Sequence, residues 1–196
     1  AKAAVLAAKE NCDLPVLVTL IFDEKGKLLT GGTVDSTVAM LEGLRVDALG
    51  VNCGLGPKQM HPIIERLTQV SSLPIIVNPN AGLPRSENGK TVFDIAPAEF
   101  SDLMEEIAGM GVQALGGCCG TTPEHLRLTI EKCRKVPFRP PVAKRRTVVS
   151  SFSQAVEIGP KPVIIGERIN PTGKSKFKAA LRENNIEYIL GEGMAQ

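Results

Sequence analysis

Hydrophobic residues in this chain fall into short, nearly unbroken runs, separated by longer stretches in which they recur every three or four positions. Four runs stand out: Leu14–Phe22 (LPVLVTLIF), Asp47–Cys53 (DALGVNC), Leu73–Asn78 (LPIIVN) and Val112–Gly116 (VQALG). A strand with one wet face alternates, whereas a run without alternation marks a strand covered on both faces, as in a parallel sheet. Val34–Leu44, Lys58–Val70, Pro97–Ala108 and Thr122–Arg134 each carry an apolar stripe and predict helices. Thr33 or Asp35 is placed to cap the first of them, Pro97 suits a first helical turn, and Thr122 followed by Pro123 opens the last. Parallel strands need crossover connections, and a helix follows each strand at a period of roughly 30 residues, the rhythm of a (β/α)8 TIM barrel. The stretch between Leu14 and Lys135 holds four such units, half of a barrel.

Outside these units the pattern changes. The chain opens on an Ala-rich helical pattern, Ala1–Glu10, with no cap before it, and closes just after the helical run Lys174–Ala195. It is therefore expected to be cut at both ends. Val136–Lys161 loses the rhythm and holds Pro137, Pro140, Pro141 and Pro160 with a basic triplet, Lys144-Arg145-Arg146. This composition reads as an interdomain linker over 136–161, with the triplet a solvated part of it. Pro162–Ile169 (PVIIGERI) then predicts another buried strand and Lys174–Ala195 a helix, one β/α unit of a second domain over 162–196.

Charge and composition narrow the class. Lys+Arg 23 against Asp+Glu 21 leaves a net charge of +2, too balanced for a nucleic-acid partner or an anionic membrane surface. Trp is absent and Tyr is single, which argues against a base-stacking platform. No apolar run approaches the ~18 residues of a membrane span. The 5 cysteines are odd in number and follow no signal peptide, so a reducing cytoplasm is expected rather than a disulfide framework.

Three of those cysteines sit at strand ends. Cys53 closes the second run, and Cys118 and Cys119 close the fourth, in GGCCG. In a parallel β/α array the carboxyl ends of the strands share one face, where active sites collect. Three soft thiolates with an open fourth position make a zinc site of the catalytic kind; the competing reading is three small buried apolar residues. Neighbouring residues of a strand point to opposite faces, so Cys118 and Cys119 can share an ion only where the chain turns, and Gly116, Gly117 and Gly120 permit that. Zinc with three thiolates carries a net negative charge. It is a weak activator of water and better suited to holding a substrate thiol as a nucleophilic thiolate, which points to alkyl transfer onto sulfur. Cys12 and Cys133 lie in helical contexts and receive no role. Asn80, in the Asn78–Gly82 segment that closes the third run, either meets substrate or the metal's open position, or simply makes an Asn-Pro turn. His61 and His125 fall within helices and read as surface or packing residues.

At these residues a family resemblance emerges. GVNCG at Gly50–Gly54, VNPNAG at Val77–Gly82 and GGCCG at Gly116–Gly120 together resemble the homocysteine-binding barrel shared by cobalamin-dependent methionine synthases and betaine–homocysteine methyltransferases. The resemblance implies that Cys53, Cys118 and Cys119 are zinc ligands, with Asn80 near the metal and the substrate. IGERINPTG, at Ile165–Gly173, resembles the opening of the pterin-binding, methyltetrahydrofolate domain that follows this barrel in cobalamin-dependent synthases. By that resemblance Asn170 is a cofactor-binding residue and Glu167 accompanies it. The chain then corresponds to the C-terminal half of a homocysteine barrel (1–135), a linker and the start of the pterin domain. The implied activity is methyl transfer from methylcobalamin, recharged by methyltetrahydrofolate, to zinc-bound homocysteine thiolate. The cobalamin-binding module of the same parent chain would be a partner, and the isolated fragment is expected to be inactive. The alternatives are another zinc-dependent thiol methyltransferase and a non-catalytic zinc- or folate-binding module.

Overall fold

A computed structural model describes residues 1–159, 161–166 and 169–195, and the chain divides into two compact units between Glu157 and Ile158. In the first, elements follow in the order α1 (Lys2–Asn11), β1 (Leu17–Leu20), α2 (Val34–Gly43), β2 (Ala48–Asn52), α3 (Pro57–Val70) and β3 (Ile75–Asn78). A hairpin of β4 (Arg85–Glu87) and β5 (Lys90–Val92) comes next, then α4 (Pro97–Gly109), β6 (Ala114–Leu115) and α5 (Pro123–Cys133). Strands β1, β2, β3 and β6 lie side by side in that order, every pair parallel. The parallel α/β arrangement expected from the sequence is present. The four-stranded sheet does not close into a barrel.

The helices form because their apolar stripes find this sheet. Leu41 of α2, Ile64 and Leu67 of α3, and Phe100, Met104 and Ile107 of α4 are almost wholly buried with Leu49, Val51 and Val77 of the central strands. Continuous burial of β2 explains its unbroken hydrophobic run. The edge strand β1 was read as equally buried, yet Leu17 remains 59% exposed, because β1 has β2 as its only described neighbour. Thr33 is the N-cap of α2: its hydroxyl accepts from Ser36 N (3.1 Å) while the Ser36 hydroxyl accepts from Thr33 N (3.0 Å). Asp35 instead binds the Arg66 guanidinium through both carboxylate oxygens (2.6 and 2.9 Å).

Residues 136–157, read as part of a linker, lie along the first unit. Gln113 Nε2 donates to Arg139 O (2.8 Å) and Lys144 N donates to Ser72 Oγ (3.0 Å). Arg146 pairs with Glu157 (2.8 Å) and approaches Asp35 (4.0 Å), so the basic triplet is not wholly solvated. Beyond it, β7 (Thr147–Ser150) and β8 (Ala155–Ile158) form a two-stranded sheet.

In the second unit, the described part of the expected strand Pro162–Ile169 has no strand structure, and Ile164 is 96% exposed. A strand exists through pairing, and nothing among the described residues pairs here. The helix expected over Lys174–Ala195 is two helices, α6 (Ser175–Arg182) and α7 (Ile186–Ala195). Asn184 takes the left-handed conformation (φ 53°) and Asn185 Oδ1 accepts from Tyr188 N (3.1 Å), ending one helix and starting the next. No helix among the described residues is long and apolar enough to cross a membrane.

Gly50 in the centre of the sheet leaves no room for a side chain: a Cβ there would lie 1.8 Å from the Ile76 carbonyl oxygen. Gly50→Ala is expected to destabilise the first unit by at least about 2 kcal/mol, as overpacking does. Urea unfolding followed by circular dichroism checks this.

Candidate metal centre

The carboxyl ends of β2, β3 and β6 build the site. After Asn52 the chain leaves β2 through two left-handed residues, Cys53 (φ 57°) and Gly54 (φ 74°). The Cys53 N–H still donates to Asn78 O (3.0 Å), which ties this turn to the end of β3. On the other side of β3, Gly116 N donates to Val77 O (3.0 Å) and Cys118 N to Pro79 O (2.8 Å), so the chain beyond β6 follows β3 past its last residue. A turn then closes on Cys118, whose carbonyl accepts from Thr121 N (3.2 Å) and Thr121 Oγ1 (2.7 Å). Gly120 (φ 79°) is required there, because a Cβ would lie 2.3 Å from the Phe93 ring.

These turns bring three sulfurs together. Cys53 Sγ lies 3.7 Å from Cys119 Sγ, Cys118 Sγ lies 3.9 Å from Cys119 Sγ, and all three sulfurs fall within 4.8 Å of one another. A tetrahedral zinc with Zn–S of about 2.3 Å has sulfur–sulfur edges of about 3.8 Å, so this donor set fits such an ion with one corner left over. Cys53 and Cys118 are half-buried and Cys119 is exposed, which leaves that corner reachable from outside. The three strand-end cysteines singled out in the sequence are thus one cluster. Cys12 and Cys133 lie outside it: the Cys12 thiol donates to Ala8 O, and Cys133 packs against the core.

Asn80 sits between the cysteine turns and is 3% exposed. Its Oδ1 accepts from Cys119 N (3.1 Å), and its side chain helps to lower the pKa of the Cys53 thiol. Burial pushes the Cys53 thiol up, but hydrogen bonds from Cys118, the Gly54 N–H, Cys119 and Asn80 outweigh it and bring the thiol below its ordinary value. Cys118 is pushed up to about 11, first by burial and then by the Cys53 sulfur beside it. Of these two thiols, Cys53 is the more acidic.

Neither histidine named from the sequence belongs to the cluster. His61 is exposed on α3. His125 is buried at the start of α5, where its ring meets Phe100 edge-on at 5.3 Å. Asn170 lies in the second unit, with Oδ1 accepting from Thr172 N (2.9 Å), and Glu167 lies outside the described residues. The sequence reading missed the segment Phe93–Ile95. Phe93 covers Gly120, and Ile95 N donates to Ala81 O (3.0 Å), so the segment braces both loops of the site. Its signal was Asn88-Gly89 between two short polar strands. Both residues are left-handed (φ 51° and 74°), as the two-residue hairpin turn requires.

Comparison with known proteins places this geometry. The sequence model of the family described as homocysteine S-methyltransferase matches residues 1–133. A methionine synthase of Mycobacterium leprae is 33% identical over 96% of this chain, and one of Mycobacterium tuberculosis is 31% identical over 96%. The chain spans about a sixth of the length of these curated relatives, 17% and 16% respectively. Among solved structures, the Escherichia coli homocysteine methyltransferase MmuM has the same fold. Its oxidized form matches with a TM-score of 0.53 at 24% identity, and its metallated form with 0.54 at 23%. Each match covers 68% of this chain and 40% of that one.

In metal-free protein the Asn80 hydrogen bond favours the Cys53 thiolate, so Asn80→Ala is expected to raise that thiol's pKa. Alkylation of Cys53 by iodoacetamide at neutral pH should slow by roughly three- to tenfold, the worth of one hydrogen bond to a charged group. Peptide mapping of alkylated Cys53 across a pH series checks this, with the midpoint moving to higher pH in the variant.

Proposed function

This chain belongs to the homocysteine S-methyltransferase family, and on that footing we propose that it is part of a methionine synthase that methylates the sulfur of homocysteine. The observation that carries the reading is the cluster of Cys53, Cys118 and Cys119 at the carboxyl ends of parallel strands. We assign these three as zinc ligands. Zinc held there would act as a Lewis acid that lowers the pKa of the homocysteine thiol, so that its sulfur is nucleophilic at neutral pH. The chain's own residues do the rest. Cys119 stands at the exposed side of the cluster, and Asn80, touching both Cys53 and Cys119, fixes the angle at which the two sulfurs face the substrate.

The methyl donor in this reading is methylcobalamin, carried on another module of the parent chain and recharged by 5-methyltetrahydrofolate. Support comes from the length of the match. The family model stops at residue 133, whereas the methionine synthases align over 96% of the chain and so continue through the docked segment into the second unit. We accordingly read 1–135 as the C-terminal half of a homocysteine-binding (β/α)8 barrel, 136–161 as the connection, and 162–196 as the start of the pterin-binding domain, with Asn170 and Glu167 as its cofactor-facing residues. The parallel sheet and the likeness to a homocysteine methyltransferase fold support the barrel. We place the protein in the reducing cytoplasm, where its 5 free cysteines stay reduced.

Zinc content decides the ligand assignment. The purified chain is expected to hold about one equivalent of zinc, and Cys118→Ala to lose most of it, because removing a thiolate from a three-thiolate site removes much of its affinity. Mass spectrometry of metal content under native conditions reads this, and full retention of zinc in Cys118→Ala would refute the assignment.

A further inference from the structure

His125 is the most deeply buried titratable side chain near the metal centre, at 5% exposure, and the function above gives it no task. Both of its ring nitrogens have partners. Nδ1 faces the Thr122 N–H (3.2 Å) and the Thr122 hydroxyl (2.8 Å), and Nε2 faces the Ile95 carbonyl (3.0 Å), which can only accept. Nε2 therefore carries a proton. From that proton a ladder of backbone bonds runs to the cluster. His125 Nε2–H donates to Ile95 O, Ile95 N to Ala81 O (3.0 Å), and Ala81 N to Cys119 O (2.9 Å). The covalent chain from Cys119 to His125 closes the loop, because α5 begins directly behind the cysteine turn. Cys119 is thus held inside a ring that is part peptide and part hydrogen bond, and His125 is the one side chain that closes it.

We propose that His125 is a positioning residue of the metal centre: by closing this ring it fixes the Cys119 turn, and with it the sulfur that completes the three-thiolate site. The proposal rests on the zinc reading above. A free loop of GGCCG composition would spread Cys119 over many geometries, whereas a ring tied at both Ala81 and Ile95 leaves it one. Bonds behind a ligand that orient it are typically worth 10–100-fold in metal affinity.

Two substitutions separate this role from simple packing. His125→Asn keeps an acceptor near Nδ1 for Thr122 but is too short to reach Ile95 O. His125→Gln reaches Ile95 with an amide N–H. The measurement is cobalt(II) binding by the full chain, followed by the thiolate-to-cobalt charge-transfer band and by competition with a chelator, with thermal melting run in parallel. We expect His125→Asn to bind cobalt about tenfold more weakly with a shifted band, and His125→Gln to stay within about threefold of the parent chain. A folded Asn variant with the parent's affinity and band overturns the proposal, as does a Gln variant that loses as much as the Asn variant. Should the Asn variant fail to fold, the Gln variant decides alone, and a tenfold loss in it overturns the proposal. A parent chain without a cobalt–thiolate band refutes the metal reading itself, a result separate from any difference among the His125 variants.

Discussion

The site depends on the way the chain beyond β3 ties together two strands that do not touch. Strands in a sheet lie about 4.8 Å apart, so β2 and β6, on either side of β3, are separated by about twice that. Their cysteines nevertheless place sulfurs 3.7 Å apart. Three successive residues at the end of β3 and just past it account for the convergence: Asn78 O receives Cys53 N, Pro79 O receives Cys118 N, and Asn80 Oδ1 receives Cys119 N. Each cysteine is thus anchored through its own backbone N–H to one short segment. The sulfurs can converge because each cysteine's main-chain N–H, not its thiol, makes the anchoring bond.

That division of labour suits the chemistry. The cluster concentrates acidity unevenly, with the Cys53 thiol drawn below its ordinary value by its polar neighbours and Cys118 pushed up to about 11 by burial and its neighbour. In the zinc reading proposed above, such a trio would leave the bound ion with a net negative charge. A site of that charge is poorly suited to activating water and well suited to presenting sulfur as a nucleophile. The same reasoning explains why Asn80, uncharged and able both to donate and to accept, occupies the buried position between the turns, where a charged side chain would disturb the balance.

Much of this was legible in the sequence. Unbroken hydrophobic runs identified β1, β2, β3 and β6, and capping residues such as Thr33 and Thr122 marked helix starts, because these elements are set by local pattern and a common core. The strand-end positions of Cys53, Cys118 and Cys119 were equally plain. What pattern does not encode is the path of the chain between elements. The left-handed backbone of Cys53 carries no compositional mark, and the hairpin of β4 and β5 escaped because its strands are three residues long and polar. Residues 136–157 looked like a tether because Pro137, Pro140 and Pro141 interrupt the β/α rhythm, yet Arg146 and the main chain of Lys144 dock them on the first unit. Val163–Ile165 looked like a strand because they are hydrophobic, although among the described residues no partner supplies the hydrogen bonds a strand needs.

X-ray absorption at the zinc edge tests the central claim most directly, because it counts the sulfur atoms on the metal before and after homocysteine is added. Three sulfurs at about 2.3 Å with one lighter atom in the resting protein, becoming four sulfurs with homocysteine, is the predicted result. Four sulfurs before substrate arrives, or a count that homocysteine leaves unchanged, would contradict it.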